Sequence, residues 1–257
     1  MTPLLEIKGL CKNFGGVTAI DDFSLRLPQG KIHGLIGPNG AGKTTIFNSI
    51  TGIYSPNSGS ISLSGSELVG KKTYAIAQLG IGRTFQNIRL FSGLSVLQNV
   101  IMASSGDAKY NMIDTIFRLP RYRRKEKEIS ARAIELLASV GLENNQNEIA
   151  KNLPYGYQRK LEIARALALR PKLLLLDEPA AGMNADESAE LVGFLREIKE
   201  KFDLTVLLIE HHMDVVTSLC DSVTVLNFGK TIAEGTPIQI KQNPAVIEAY
   251  LGGNPNS

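Results

Sequence analysis

The stretch that decides the fold runs Ile32-His33-Gly34-Leu35-Ile36-Gly37-Pro38-Asn39-Gly40-Ala41-Gly42-Lys43-Thr44-Thr45. A short apolar run, Ile32 to Ile36, passes directly into two glycines, a lysine and a hydroxyl at fixed spacing. From Thr45 to Thr51 apolar residues then recur three to four apart. Strand, glycine-rich turn and helix in that order form the setting in which such a loop cradles phosphate. Gly40 and Gly42 let successive backbone N–H groups converge on phosphate oxygens, and the positive end of the following helix adds its field. On this reading Asn39, Gly40, Ala41, Gly42, Lys43, Thr44 and Thr45 line the anion, Lys43 reaches the terminal phosphates and Thr44 offers a hydroxyl to Mg2+.

Working outward, Leu5 to Leu10 and Phe23 to Leu27 alternate apolar with polar residues, as half-buried strands do, and predict an antiparallel β-layer. Leu173 to Leu176, Val206 to Ile209 and Val223 to Leu226 are instead uniformly apolar or nearly so, as strands covered on both faces are. With Ile32 to Ile36 they predict a mostly parallel central sheet. Gln158 to Leu169 and Ala185 to Lys201 have the spacing of helices with one buried face. Strand and helix alternate, which argues for an α/β fold. Val96 to Val140 has helical patterning and predicts an inserted helical subdomain. Its basic stretch, Arg118 to Lys127, reads as a solvated helix face, with contact to lipid headgroups as the alternative. After Pro237 come two short amphipathic pieces, and the polar tail Gly252 to Ser257 is expected to fray. The expected division is a core of residues 1–86 and 159–257 with a helical subdomain at 87–158.

Bulk properties exclude several classes. With 43% hydrophobic and 21% charged residues over 257 positions, the chain matches ordinary globular usage, not disorder or a fibrous repeat. A net charge of +3 gives no argument for a nucleic-acid partner, and none is expected. Cys11 and Cys220, two and far apart, do not form a disulfide framework and suit a reducing compartment. Met1 to Leu10 lacks the unbroken apolar core of a signal peptide, so no export signal is expected. No apolar run approaches the roughly 20 residues that cross a bilayer. Any membrane spans must come from other chains.

Further polar residues gather at the ends of the apolar strands. Asp177 and Glu178 follow Leu173 to Leu176, at the carboxyl end where open α/β sheets bind ligands. One acid can hold a magnesium shell and the other can act as general base on water. An apolar strand ending in acids is commonplace alone; the phosphate loop makes it informative. His211 stands past Thr205 to Ile209, where a histidine can reach a γ-phosphate, although loop histidines are mostly solvated. His211 and His212 do not resemble a zinc set, since no Cys or carboxylate lies at ligand spacing around them. Gln86, after the strand Ile81 to Phe85, can sense the γ-phosphate or its metal and report it to the helical region. Phe14, beside Gly15-Gly16, is either a packed aromatic or a stacking face for adenine.

Taken in order, these pieces resemble the nucleotide-binding subunits of ABC transporters over nearly the whole chain. The resemblance implies the P-loop NTPase cassette fold and ATP hydrolysis with Mg2+. It matches Phe14 to the adenine-stacking aromatic, Gly37 to Thr45 to the Walker A loop and Gln86 to the Q-loop. Asp177 and Glu178 match the Walker B pair, with Asp177 holding Mg2+ through water, and His211 the switch histidine. Leu153-Pro154-Tyr155-Gly156-Tyr157-Gln158 occupies the place of the signature that grips the γ-phosphate of an opposed chain. The runs Gly82 to Phe91 and Glu178 to Asn184, the insert around Leu119 to Lys127 and the ending Ala249 to Gly252 are similar to the larger ATPase subunit of branched-chain amino acid importers. That resemblance implies a head-to-tail pair of ATPase chains, as a heterodimer or, in isolation, a homodimer. It also implies two membrane permeases, an external binding protein and a peripheral place on the cytoplasmic face of the membrane.

Three residues depart from the pattern. Pro154 stands where the signature has Ser and offers neither hydroxyl nor N–H. Tyr157 replaces the usual Gln, so the grip offered to the partner's ATP rests on backbone N–H groups and a helix beginning near Gln158. Asn184 stands where many relatives have Asp. An asymmetric pair of sites is therefore expected. Lipid or lipopolysaccharide export and import of other amino acids or urea remain open, because nothing in the ATP site reads the cargo. A non-transport cassette acting on DNA or ribosomes is disfavoured by the lack of a coiled coil or second cassette, and a GTPase switch by the lack of an Asn-Lys-x-Asp motif.

Overall fold

The computed structural model describes residues 3–104 and 120–251. The basic stretch beginning at Arg118 lies partly, and the tail Gly252 to Ser257 wholly, outside the described residues. The chain divides into two compact units, residues 1–86 with 172–257, and residues 87–171.

The first unit opens with β1 (Leu5–Phe14), β2 (Val17–Leu27) and β3 (Ile32–Ile36), followed by helix α1 (Lys43–Ile50), β4 (Ser58–Leu63) and β5 (Ser66–Glu67). Strands β1, β2, β4 and β5 form an antiparallel sheet in the order β2-β1-β4-β5. Each longer strand sends alternate residues inward. Leu5, Ile7, Phe23, Leu25, Leu27, Ile61 and Leu63 join Ile46, Phe47 and Ile50 of α1 in one apolar core. The sequence shows two paired strands of this layer, at Leu5 to Leu10 and Phe23 to Leu27. Strand β4 escapes it because Ser58, Gly59, Ser60 and Ser62 leave only Ile61 and Leu63 as apolar signal.

The central sheet adds, after a short helix α2 (Thr73–Gln78), β6 (Ile81–Arg83), β7 (Leu173–Asp177), β8 (Thr205–Ile209), β9 (Ser222–Asn227) and β10 (Lys230–Gly235). Its order is β10-β9-β3-β8-β7-β6. The interior is parallel and only the edge strand β10 runs antiparallel. Every residue of β3, β7 and β8 is buried, which is why these strands read as unbroken apolar runs.

In the second unit lie helices α3 (Val96–Ser104), α4 (Pro120–Ser139) and α5 (Tyr155–Leu167). The expected boundary at 158/159 falls inside α5. The helix stays with the helical unit, and the chain passes to the core at Pro171/Lys172. Two further helices follow in the first unit, α6 (Ala185–Lys201) and α7 (Met213–Leu219), then α8 (Pro237–Lys241) and α9 (Pro244–Leu251). Helix α6 starts on a reciprocal cap in which the Asn184 side chain accepts from Glu187 N–H and the Glu187 carboxylate accepts from Asn184 N–H, both at 2.9 Å. Asn184 thus commits its acceptor to its own helix. No helix among the described residues is long and apolar enough to cross a membrane.

One buried group in this sheet titrates. His33 of β3 is 2% exposed, with its ring nitrogens 2.7 Å from Ser222 Oγ and 2.8 Å from Thr224 Oγ1 on β9. Burial pushes its pKa down from 6.5 to about 4. Between those values the unfolded chain binds a proton that the folded chain refuses, so the stability His33 contributes above pH 6.5 is lost as pH falls toward 4. Urea unfolding should therefore show the wild type losing roughly 2 kcal/mol more than His33→Gln between pH 7.5 and pH 5. Equal losses would contradict this.

Candidate functional site

The loop from Gly37 to Gly42 is shaped by close backbone approaches that exclude side chains. A Cβ on Gly37, at φ +147°, would lie 2.1 Å from Leu226 O, and one on Gly42, at φ +106°, would lie 2.5 Å from Ala19 O. Gly42 is the N-cap of α1, which begins at Lys43, two residues before the expected Thr45. No side chain caps this end, which leaves the first-turn N–H groups available to an anion. Lys43 folds back over the loop and donates to Gly37 O at 2.6 Å and Pro38 O at 3.0 Å. Burial lowers its pKa, opposed by the nearby charges of Glu178 and Asp177. Asn39, Gly40 and Thr44 are exposed, Ala41 is buried and Thr45 half-buried. Burial raises the pKa of Tyr250 in α9, opposed by the backbone N–H of Gly37.

The parallel register brings the polar strand ends together. Leu35 of β3 and Asp177 of β7 are both paired with Ile209 of β8. Glu178 follows Asp177 at φ +47°, a left-handed turn that is costly for a non-glycine residue. Its N–H donates to Ile209 O at 2.9 Å. Gln86 Nε2 donates to Glu178 Oε2 at 2.8 Å, and His211 Nδ1 lies 3.8 Å from Glu178 Oε1. Gln86, Glu178 and His211, remote in sequence, therefore meet at one carboxylate. The division between the two compact units falls immediately after Gln86. Within the helical unit the chain that follows is fixed by Asn99, which accepts from Phe91 N–H at 2.9 Å and donates to Phe91 O at 3.1 Å.

Two charged residues in this region were not assigned from sequence. Arg83 of β6 pairs with Asp177 Oδ2 at 3.1 Å, the two side chains 8% and 6% exposed, and donates to Asn48 Oδ1 and Thr51 Oγ1 at 2.8 and 3.2 Å. Its guanidinium lies over the rings of Phe47 and Phe85. Glu210, fully buried, stands one residue past β8 as Glu178 stands one residue past β7. That repeated offset is the signal that could have found it. Glu210, His211 and His212 bring donor atoms within 4.8 Å of one another. The expectation that no carboxylate lies at ligand spacing is thus corrected. Both Glu210 oxygens, however, already accept N–H groups of the chain.

Phe14, 42% exposed, packs edge-on against Tyr54 at 5.0 Å, with Lys12 Nζ 5.0 Å from its ring centre. In the helical unit Pro154 is the N-cap of α5, with no side-chain hydrogen bond. The helix starts at Tyr155, three residues before the expected Gln158. Tyr155 and Tyr157 are exposed and Gly156 half-buried, while Gln158 Nε2 turns back to Leu153 O at 2.8 Å. The Thr44 hydroxyl, the Asp177 carboxylate and the Gln86 amide are hard oxygen donors, a set whose chemistry fits Mg2+.

Residues 20–181 match the family model described as ABC transporter, and residues 230–255 match that of the branched-chain amino acid ATP-binding cassette transporter. The chain belongs to the ABC transporter ATP-binding family and is an ATPase that binds ATP. Within that family it is 44% identical, over 97% of its length and 98% of the relative's, to the high-affinity branched-chain amino acid transport ATP-binding protein BraF of Pseudomonas aeruginosa. The corresponding protein LivG of Escherichia coli gives the same identity and coverage. Among solved structures, an ATP-binding cassette of an ABC transporter in its ADP conformation superposes with a TM-score of 0.86 at 29% identity, covering 98% of this chain and all of that one. The expected cassette fold is borne out.

Removing Arg83 leaves Asp177 buried without its cation. Arg83→Met should lower the unfolding free energy by about 3 kcal/mol in urea titrations; a loss below about 1 kcal/mol would place the pair among weak surface contacts.

Proposed function

We propose that this chain is the ATP-hydrolysing subunit of an importer for branched-chain amino acids. The observation that carries the cargo is the 44% identity to BraF and LivG along almost the whole chain, with the branched-chain model matching residues 230–255 as support. The site chemistry itself is indifferent to cargo.

In this proposal ATP lies with its adenine on Phe14 and its phosphates across Asn39 to Thr45. Lys43 exchanges its two loop carbonyls for phosphate oxygens. Both ends of that exchange are local, since the carbonyls of Gly37 and Pro38 belong to the same loop. Thr44, Gln86 and, through water, Asp177 would hold Mg2+, which would supply Lewis-acid chemistry to the phosphates. Glu178 orients or deprotonates the attacking water, and His211 offsets charge developing on the γ-phosphoryl group. The hydrogen bond from Gln86 to Glu178 and the approach of His211 to the same carboxylate support these roles. Gln86, at the division between the two units, passes the state of the γ-phosphate to the helical unit.

The working assembly in this proposal is a head-to-tail pair with a second ATPase chain, seated on two permeases at the cytoplasmic face of the membrane. Each chain offers Pro154 to Gln158 to the other's nucleotide. Pro154 contributes no donor, so the backbone N–H groups at the start of α5 carry that grip.

Glu178→Gln should retain ATP affinity within about twofold and lose hydrolysis by roughly 100-fold or more, the scale of a lost general base; wild-type turnover would remove Glu178 from that role. Deleting this chain from cells should abolish high-affinity uptake of radiolabelled leucine, isoleucine and valine. Unchanged uptake of all three would falsify the cargo assignment and leave the ATPase intact.

A further inference from the structure

Glu210 is a carboxylate without solvent exposure whose hydrogen bonds all go to neighbouring chain segments. Oε1 accepts from Ala180 N–H at 3.0 Å. Oε2 accepts from His211 N–H at 3.0 Å and His212 N–H at 3.2 Å, and lies 3.1 Å from His212 Nδ1. Ala180 is two residues past Glu178, and His211 carries the ring that approaches Glu178 Oε1. One carboxylate therefore holds the main chain on both sides of the hydrolytic carboxylate, one oxygen on each segment.

From this geometry we infer that Glu210 is a positioning residue for hydrolysis, a clamp that fixes the segment after Glu178 and the backbone of His211 in a single arrangement. The inference rests on the reading of Glu178 and His211 as the hydrolytic pair. A carboxylate is required because two oxygens must both accept. The isosteric amide would keep one acceptor and turn an NH2 group toward N–H donors. A longer or shorter side chain would lose one of the two segments. The clamp touches neither the phosphate loop nor Phe14, so it bears on the placement of reacting groups and not on nucleotide affinity. A misplacement of about 1 Å at such groups can cost on the order of 100-fold in rate.

The test is a cycle of E210Q, H211A and the double variant, read by single-turnover ATP hydrolysis and by ATP affinity. E210Q should hydrolyse roughly 100-fold more slowly and bind ATP within about twofold of wild type. In the H211A background the same change should cost less than it does in the wild type, because only the Ala180 side of the clamp still bears on a reacting group. Independent, multiplicative losses would overturn the clamp, as would an E210Q protein with wild-type turnover or one that loses rate and affinity together. H211A alone reports on the underlying reading: if it hydrolyses normally, His211 is not in the machinery, a result distinct from failure of E210Q. Should E210Q not fold, amide exchange in the wild-type protein decides. The N–H groups of Ala180 and His211 should exchange together and slowly, and exchange at the rate of open loops would overturn the proposal.

Discussion

Ile209 is the point on which the site depends. Its position in β8 is paired with Leu35 of β3 on one side and Asp177 of β7 on the other. Its carbonyl accepts from Glu178 N–H. The parallel ladder thus ends three strands at one level, and the phosphate loop, the acidic pair and the histidine loop all emerge there. A slip of one residue in either pairing would move every side chain of the strand to the opposite face of the sheet and carry the polar ends with it. Because both faces of these strands are buried, such a slip would force close-packed layers on both sides to repack at once. Leu173 to Leu176 and Val206 to Ile209 are therefore what holds the chemistry in register, although none of them takes part in it.

Much of this was legible because local physics and global fold agree. The glycines of the phosphate loop, the unbroken apolar runs and the helical spacing of Ala185 to Lys201 each signal their own structure, and α6 further carries its cap in Asn184 and Glu187. Gln86 and His211 could be named as candidates, but their meeting at Glu178 depends on strand order, which no local pattern encodes. Arg83 was hidden for the same reason. An arginine at the end of a three-residue strand looks solvated until β6 is known to lie beside β7. The start of α5 and the 158/159 boundary were misjudged because Pro154 was read as a missing donor and not as a helix start.

Three carboxylates stand at the ends of two adjacent strands, and their surroundings sort them. Asp177 faces a guanidinium that is itself held by Asn48 and Thr51, so its buried charge is compensated within the protein. Glu210 spends both oxygens on backbone donors and is closed to water. Glu178 is partly exposed and held by an amide, with the histidine at longer range. An amide fixes the orientation of a carboxylate without claiming its charge, whereas an arginine in the same place would satisfy the group so well that a water could not compete for it. Of the three, Glu178 alone combines a fixed orientation with access. That difference follows from the partner each strand end finds, and it supports the reactive role proposed for the carboxylate at φ +47°, where the backbone bears strain to present it.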